Sequence, residues 1–89
     1  MQRIDDAQIA AIICALLARR LPQQSICPSE VARALSDDEA RWRALMPQVR
    51  SVAADLASKE VVQINQRGEV VDLGTVRGPI RLTRGRHFE

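Results

Sequence analysis

The chain has 89 residues, 46% of them hydrophobic and 27% charged, enough for one small globular core and too few for a second domain. Trp42 and Phe88 are its only aromatic residues, so the core must be aliphatic, and the stacking platforms of single-strand binders are disfavoured. The net charge of +2 is unevenly spread: residues 1–40 carry four arginines against six acids (−2), and residues 41–89 carry nine basic residues against five acids (+4). Twelve of the thirteen basic residues are arginine. Arginine suits bidentate contacts with phosphate or guanine edges, although codon usage in a GC-rich genome produces the same bias.

Ile9, Ile12, Ile13, Leu16 and Leu17 follow the apolar stripe of a helix, predicted over residues 6–20. Asp5 serves as its cap, Gln8 completes a capping box, and Ile4 packs on Ile9 as a staple. Arg19 and Arg20 face the negative end of the helix dipole before Leu21-Pro22 ends the run, so they read as a charged terminus. The apolar stretch over residues 9–18 is too short to cross a bilayer, and Asp5 and Asp6 stand where a secretory leader would be basic. A cytoplasmic domain with reduced thiols is expected, without membrane association.

Ile26 reads as a core plug, and Pro28 opens a second helix over residues 28–35 that buries Val31 and Leu35. Cys27, just ahead of this helix, occupies a position where a dipole can activate a thiol. No resolving cysteine or basic neighbour in sequence supports that role, and a small packed residue is the simpler expectation. Ser36-Asp37-Asp38-Glu39 has capping-box spacing for a brief helix carrying Trp42, Leu45 and Met46. Pro47 is expected to break it at Met46 and to start a third main helix over residues 47–59. That helix buries Val49, Val52, Ala53 and Leu56 and leaves Gln48, Arg50, Ser51, Ala54, Asp55 and Ser58 outside.

Residues 61–65 and 69–73 alternate as two strands about Arg67-Gly68, a tight hairpin with an arginine at its tip. Ile80 and Leu82 are expected to return to the core along a sheet margin, which Pro79 tolerates. Arg77, Arg81, Arg84 and Arg86 are expected to project outward. The predicted architecture is mainly α with a small antiparallel β hairpin, a winged helix-turn-helix of three main helices plus a wing. It is one domain over residues 1–83 with a basic C-terminal tail at 84–89.

Cys14 and Cys27 lack a CxxC partner and His87 is the sole histidine, so neither a metal site nor another cofactor is expected. No nucleophile has a base to activate it, and no glycine-rich loop cradles a phosphate, so the domain is expected to be non-catalytic. The fold and the basic second half point to double-stranded DNA as partner, through Gln48, Arg50, Ser51, Arg67, Arg77, Arg81 and Arg84. The alternative is a protein-interaction module using the same helix and wing, with Asp55 and Glu69 inside the footprint. The sequence does not fix the oligomeric state.

Val49-Arg50, Ala53, Leu56, Lys59-Glu60-Val61-Val62, Arg67-Gly68 and Val70 resemble the closing half of the DNA-binding domain of gluconate-repressor-type regulators. Ala54 stands where that family has leucine, and Val61 where it has glycine after glutamate, which implies a tighter or strained turn. A wider resemblance covers Ile9 to Leu82. Cys27-Pro28-Ser29-Glu30-Val31-Ala32-Arg33, Trp42-Arg43, Met46-Pro47, Val49-Arg50 and Gly78-Pro79-Ile80-Arg81-Leu82 are similar to a group of short bacterial proteins of unassigned function. This implies a winged-helix fold and a bacterial origin, and it transfers no functional residue.

Overall fold

A computed structural model of the chain describes residues 3–74 and 76–88. Three helices, α1 (Asp6–Ala18), α2 (Pro28–Leu35) and α3 (Glu39–Ser58), precede three strands, β1 (Val62–Gln66), β2 (Glu69–Val70) and β3 (Arg81–Arg84). The strands form one antiparallel sheet in the order β2-β1-β3. Ile26 adds a single bridge to Leu82 on the far side of β3. The architecture is mainly helical and compatible with a winged helix, with a third strand added to the expected hairpin. No helix among the described residues is long and apolar enough to cross a membrane.

Local chemistry explains where the first two helices begin. Asp5 accepts the Gln8 amide proton at 2.8 Å while the Gln8 side chain accepts that of Asp5 at 2.9 Å, so two otherwise orphaned amides satisfy each other's residues. α1 closes at Ala18, with Arg19 as C-cap, slightly short of the predicted end. At α2, Pro28 fills the first turn, and the Glu30 carboxylate accepts the Cys27 amide proton at 2.6 Å.

Two expectations about the middle of the chain are corrected. Ser36 is the C-cap of α2 with extended φ of −157°; its hydroxyl accepts the Asp38 amide proton at 3.2 Å, and Asp38 takes the N-cap position of α3. Pro47 does not break the chain, because α3 runs through it for 20 residues. An interior proline removes one helical hydrogen bond and costs about 3 kcal/mol. Here Pro47 is exposed, as is Arg43, whose carbonyl loses its donor and is left to water. On the opposite side, Trp42, Leu45 and Met46 before the proline pack against the same core as Val49, Val52, Ala53 and Leu56 after it. That continuous apolar contact, at about 1.5–3 kcal/mol for each large side chain buried, keeps both segments on one axis.

Ile9, Ile13 and Leu17 of α1, Val31 and Ala32 of α2, and the four buried residues of α3 meet Val62 and Ile64 of β1, with Ile26, Ile80 and Leu82 closing the core. Alternation along β1 sends Val62 and Ile64 inward and leaves Gln63 exposed and Asn65 half-buried. α3 ends in a Schellman motif: the Glu60 amide bonds to the Ala57 carbonyl at 3.0 Å and the Val61 amide to the Leu56 carbonyl at 3.0 Å. Glu60 therefore sits at φ 61°, a left-handed conformation that glycine adopts more readily.

The segment after β3 does not extend freely as a basic tail. Gly85 and His87 donate their amide protons to the Val61 and Glu60 carbonyls, each at 2.9 Å. A side chain at Gly85 would run into the Glu60 carbonyl. Arg86 pairs with Glu60 at 2.9 Å.

Candidate nucleic-acid interface

The β1–β2 connection is a two-residue hairpin in which Gln66 pairs with Glu69. Its central residues have positive φ, 54° at Arg67 and 83° at Gly68, the signature of a type I′ turn. Glycine satisfies that geometry freely, whereas an arginine in it costs about 1–2 kcal/mol. The turn thus holds an exposed guanidinium at the tip of the sheet against the preference of its own backbone.

The return from β2 to β3 brings further arginines to this tip. Gln66 donates its side-chain amide to the Arg77 carbonyl at 2.6 Å and the Pro79 carbonyl at 3.3 Å, pinning the segment beside β1. Arg67, Arg77 and Arg81 then line one open cleft with Asn65, Gln66 and Pro79, and no acidic residue lines it. Arg50 of α3 reaches the same segment, its guanidinium 3.4 Å from the Gly78 carbonyl. Arg81 is oriented by Ser25, donating to the hydroxyl at 2.9 Å and to the carbonyl at 3.2 Å.

Four of the seven sequence-predicted contact residues, Arg50, Arg67, Arg77 and Arg81, are thus brought to one surface. None of the four forms a salt bridge among the described residues. Ser51 is exposed on the outer side of α3. Gln48 is turned away, donating its amide to the Ile4 carbonyl at 3.1 Å and to Asp6 at 3.0 Å. Arg84 is also engaged internally: it donates to the Leu17 and Arg20 carbonyls at 3.1 and 2.9 Å, and Phe88 stacks 4.8 Å from its guanidinium. It acts as a cationic cap on the end of α1. Sequence inspection missed Gln66 and Ser25, the groups that orient the cleft. Their polarity beside a turn is ordinary, and their partners lie 11 to 56 residues away.

The acids on α3 sit elsewhere. Glu39 pairs with Arg43 at 2.7 Å and Asp55 with Lys59 at 3.1 Å. A second cleft, between α3 and the β2 side of the sheet, has an aliphatic part formed by Ala54, Ala57, Val70, Val71 and Leu73, and is also lined by Glu60, Asp72 and Arg86. Val70 is 62% exposed there.

The chain has two cysteines, Cys14 and Cys27. Both are free thiols. Burial pushes the Cys14 thiol up from its ordinary 9.0, which suppresses the reactive thiolate. Cys27 lies 3.1 Å from the Ser29 hydroxyl. Among the described residues, no three His, Cys, Asp or Glu side chains converge as metal ligands.

A search of curated proteins finds no match to the chain. A family model does match, covering residues 6–85, from the first helical residue to the glycine after β3. With nearly the whole fold inside that match, the chain belongs to the family described as protein of unknown function, DUF3253.

Proposed function

We propose that this domain binds double-stranded DNA and performs no chemistry of its own. The observation that carries the reading is the cleft at the sheet tip, where Arg67, Arg77 and Arg81 converge without an acid and Arg50 adjoins them. A net charge of +2 is modest for a nucleic-acid binder, but local charge matters more than the sum, because potentials are set by the nearest groups within a Debye length of about 8–10 Å. Guanidinium groups also suit phosphate oxygens geometrically.

Four phosphate contacts give a salt slope of about −3.6, so affinity falls by roughly two decades between about 50 and 200 mM salt. Fluorescence anisotropy of a labelled random duplex titrated with salt measures this directly. Absence of binding at the lowest salt removes the proposal.

A protein partner is the second reading, favoured by the aliphatic patch in the cleft beside Val70, which is 62% exposed. Large exposed aliphatic groups beside small ones such as Ala54 and Ala57 suit an apolar side chain from another protein. In that case Val70→Asp abolishes an interaction that Arg67 substitutions leave intact.

A further inference from the structure

Building on the DNA-binding reading, we infer that the wing makes the contact and that α3 does not read bases, so recognition is of the duplex backbone without sequence preference. Three observations on α3 converge on this. First, its outward stripe is mainly small residues: Ala40, Ala44, Pro47, Ser51 and Ser58 are all exposed and lie at helical spacing, and the exposed Asp55 between the two serines is paired with Lys59. Base-edge readout relies on long bidentate groups, arginine to guanine and asparagine or glutamine to adenine, and this stripe offers two hydroxyls and one carboxylate already paired with a lysine.

Second, the long polar side chains of α3 are committed or turned aside. Gln48 is bonded to Ile4 and Asp6, Arg43 to Glu39 and the Trp42 ring, and Lys59 to Asp55. Arg41 is exposed and, nine positions before Arg50, lies on the opposite side of the helix from the wing-facing arginine. Arg50 points to the wing segment at Gly78.

Third, continuity through Pro47 moves the start of α3 to Glu39. The leading end, which enters the major groove in helix-turn-helix readers, therefore carries Asp37, Asp38 and Glu39, all exposed. Asp37 and Asp38 there repel the phosphates on either side of a groove, while Glu39 is paired with Arg43. The wing cleft with Arg67, Arg77 and Arg81 is lined by no acid, and phosphate contacts from such a surface position a protein on a duplex without carrying sequence information.

The test uses anisotropy at low salt on two unrelated duplexes of equal length, with wild type, the wing variant Arg67→Asn/Arg77→Gln, and the helix variant Ala44→Leu/Ser51→Leu. All four substituted positions are exposed, and circular dichroism confirms folding of each variant. Wild type is expected to bind both duplexes within about twofold. The wing variant loses about tenfold or more and halves the salt slope, in proportion to the phosphate contacts removed; the helix variant binds like wild type. A loss of tenfold or more in the helix variant, or a strong preference for one duplex, overturns the inference while leaving DNA binding intact. Absence of binding by wild type to either duplex overturns the underlying reading and this inference with it.

Discussion

Replacing Arg67 by Asn separates stability from binding at a single position. Arg67 occupies the first central position of the hairpin at φ 54°, followed by Gly68 at φ 83°, and Asn-Gly is the pair this turn type favours most. The arginine is exposed and makes no salt bridge among the described residues, so little packing is lost. Left-handed backbone costs most residues about 1–2 kcal/mol, and asparagine adopts it several-fold more readily. A gain of about 0.5–1 kcal/mol is expected, which for a domain of this size raises Tm by about 2–8 °C. The same change removes one cation from the wing cleft, so the salt slope of duplex binding shrinks by about 0.9. Thermal melts by circular dichroism and salt-titrated anisotropy report the two effects separately. A variant that melts below wild type refutes the backbone argument. One that binds DNA with unchanged affinity and slope refutes the assignment of Arg67 to the contact surface.

Other substitutions probe the frame around that surface. Pro47→Ala restores a donor to the Arg43 carbonyl at an exposed site and should stabilise the domain by about 1–3 kcal/mol; a lower denaturant midpoint contradicts the account of how α3 tolerates proline. Gly85→Ala forces a methyl group against the Glu60 carbonyl and should cost about 1–3 kcal/mol or more, read from chemical denaturation, whereas an unchanged midpoint means the segment gives way easily. In a Cys27→Ser background at pH 8, Cys14 should react with a disulfide reagent more slowly than free cysteine and speed up in urea, because burial raises its pKa above 9.0. That burial contributes stability below pH 9.0, lost as pH climbs through the higher folded value. Fast labelling of the native protein contradicts it.

Helix and strand patterning was legible wherever one face alone decides burial. Ile9, Ile13 and Leu17, and Val49, Val52, Ala53 and Leu56, are buried as their spacing predicts, and Arg67-Gly68 marks the hairpin. Ile80 and Leu82 return to the core as expected. The boundary at residues 36–47 was misread because two local signals, a capping-box spacing and a proline, were overridden by packing: Trp42, Leu45 and Met46 lie against the core, which no local rule weighs. The wing arginines could be listed from sequence, but their convergence depends on Gln66 holding the carbonyls of Arg77 and Pro79. The internal bonds of Gln48 and Arg84 were not legible for the same reason, since their acceptors, Ile4 and Asp6 for one and Leu17 and Arg20 for the other, lie far away in sequence.

Arg84 capping α1 and the Ile26–Leu82 bridge have a consequence for how the chain reaches its native state. The end of the first helix and the connector after it are completed by residues more than fifty positions later, so loop closure must precede their stabilisation. Contacts of such long sequence separation slow folding relative to a helical bundle of equal size. On a ribosome, the end of α1 and the connector at Ile26 would wait for these partners until β3 had been synthesised, although α3 could already cover the apolar faces of α1 and α2.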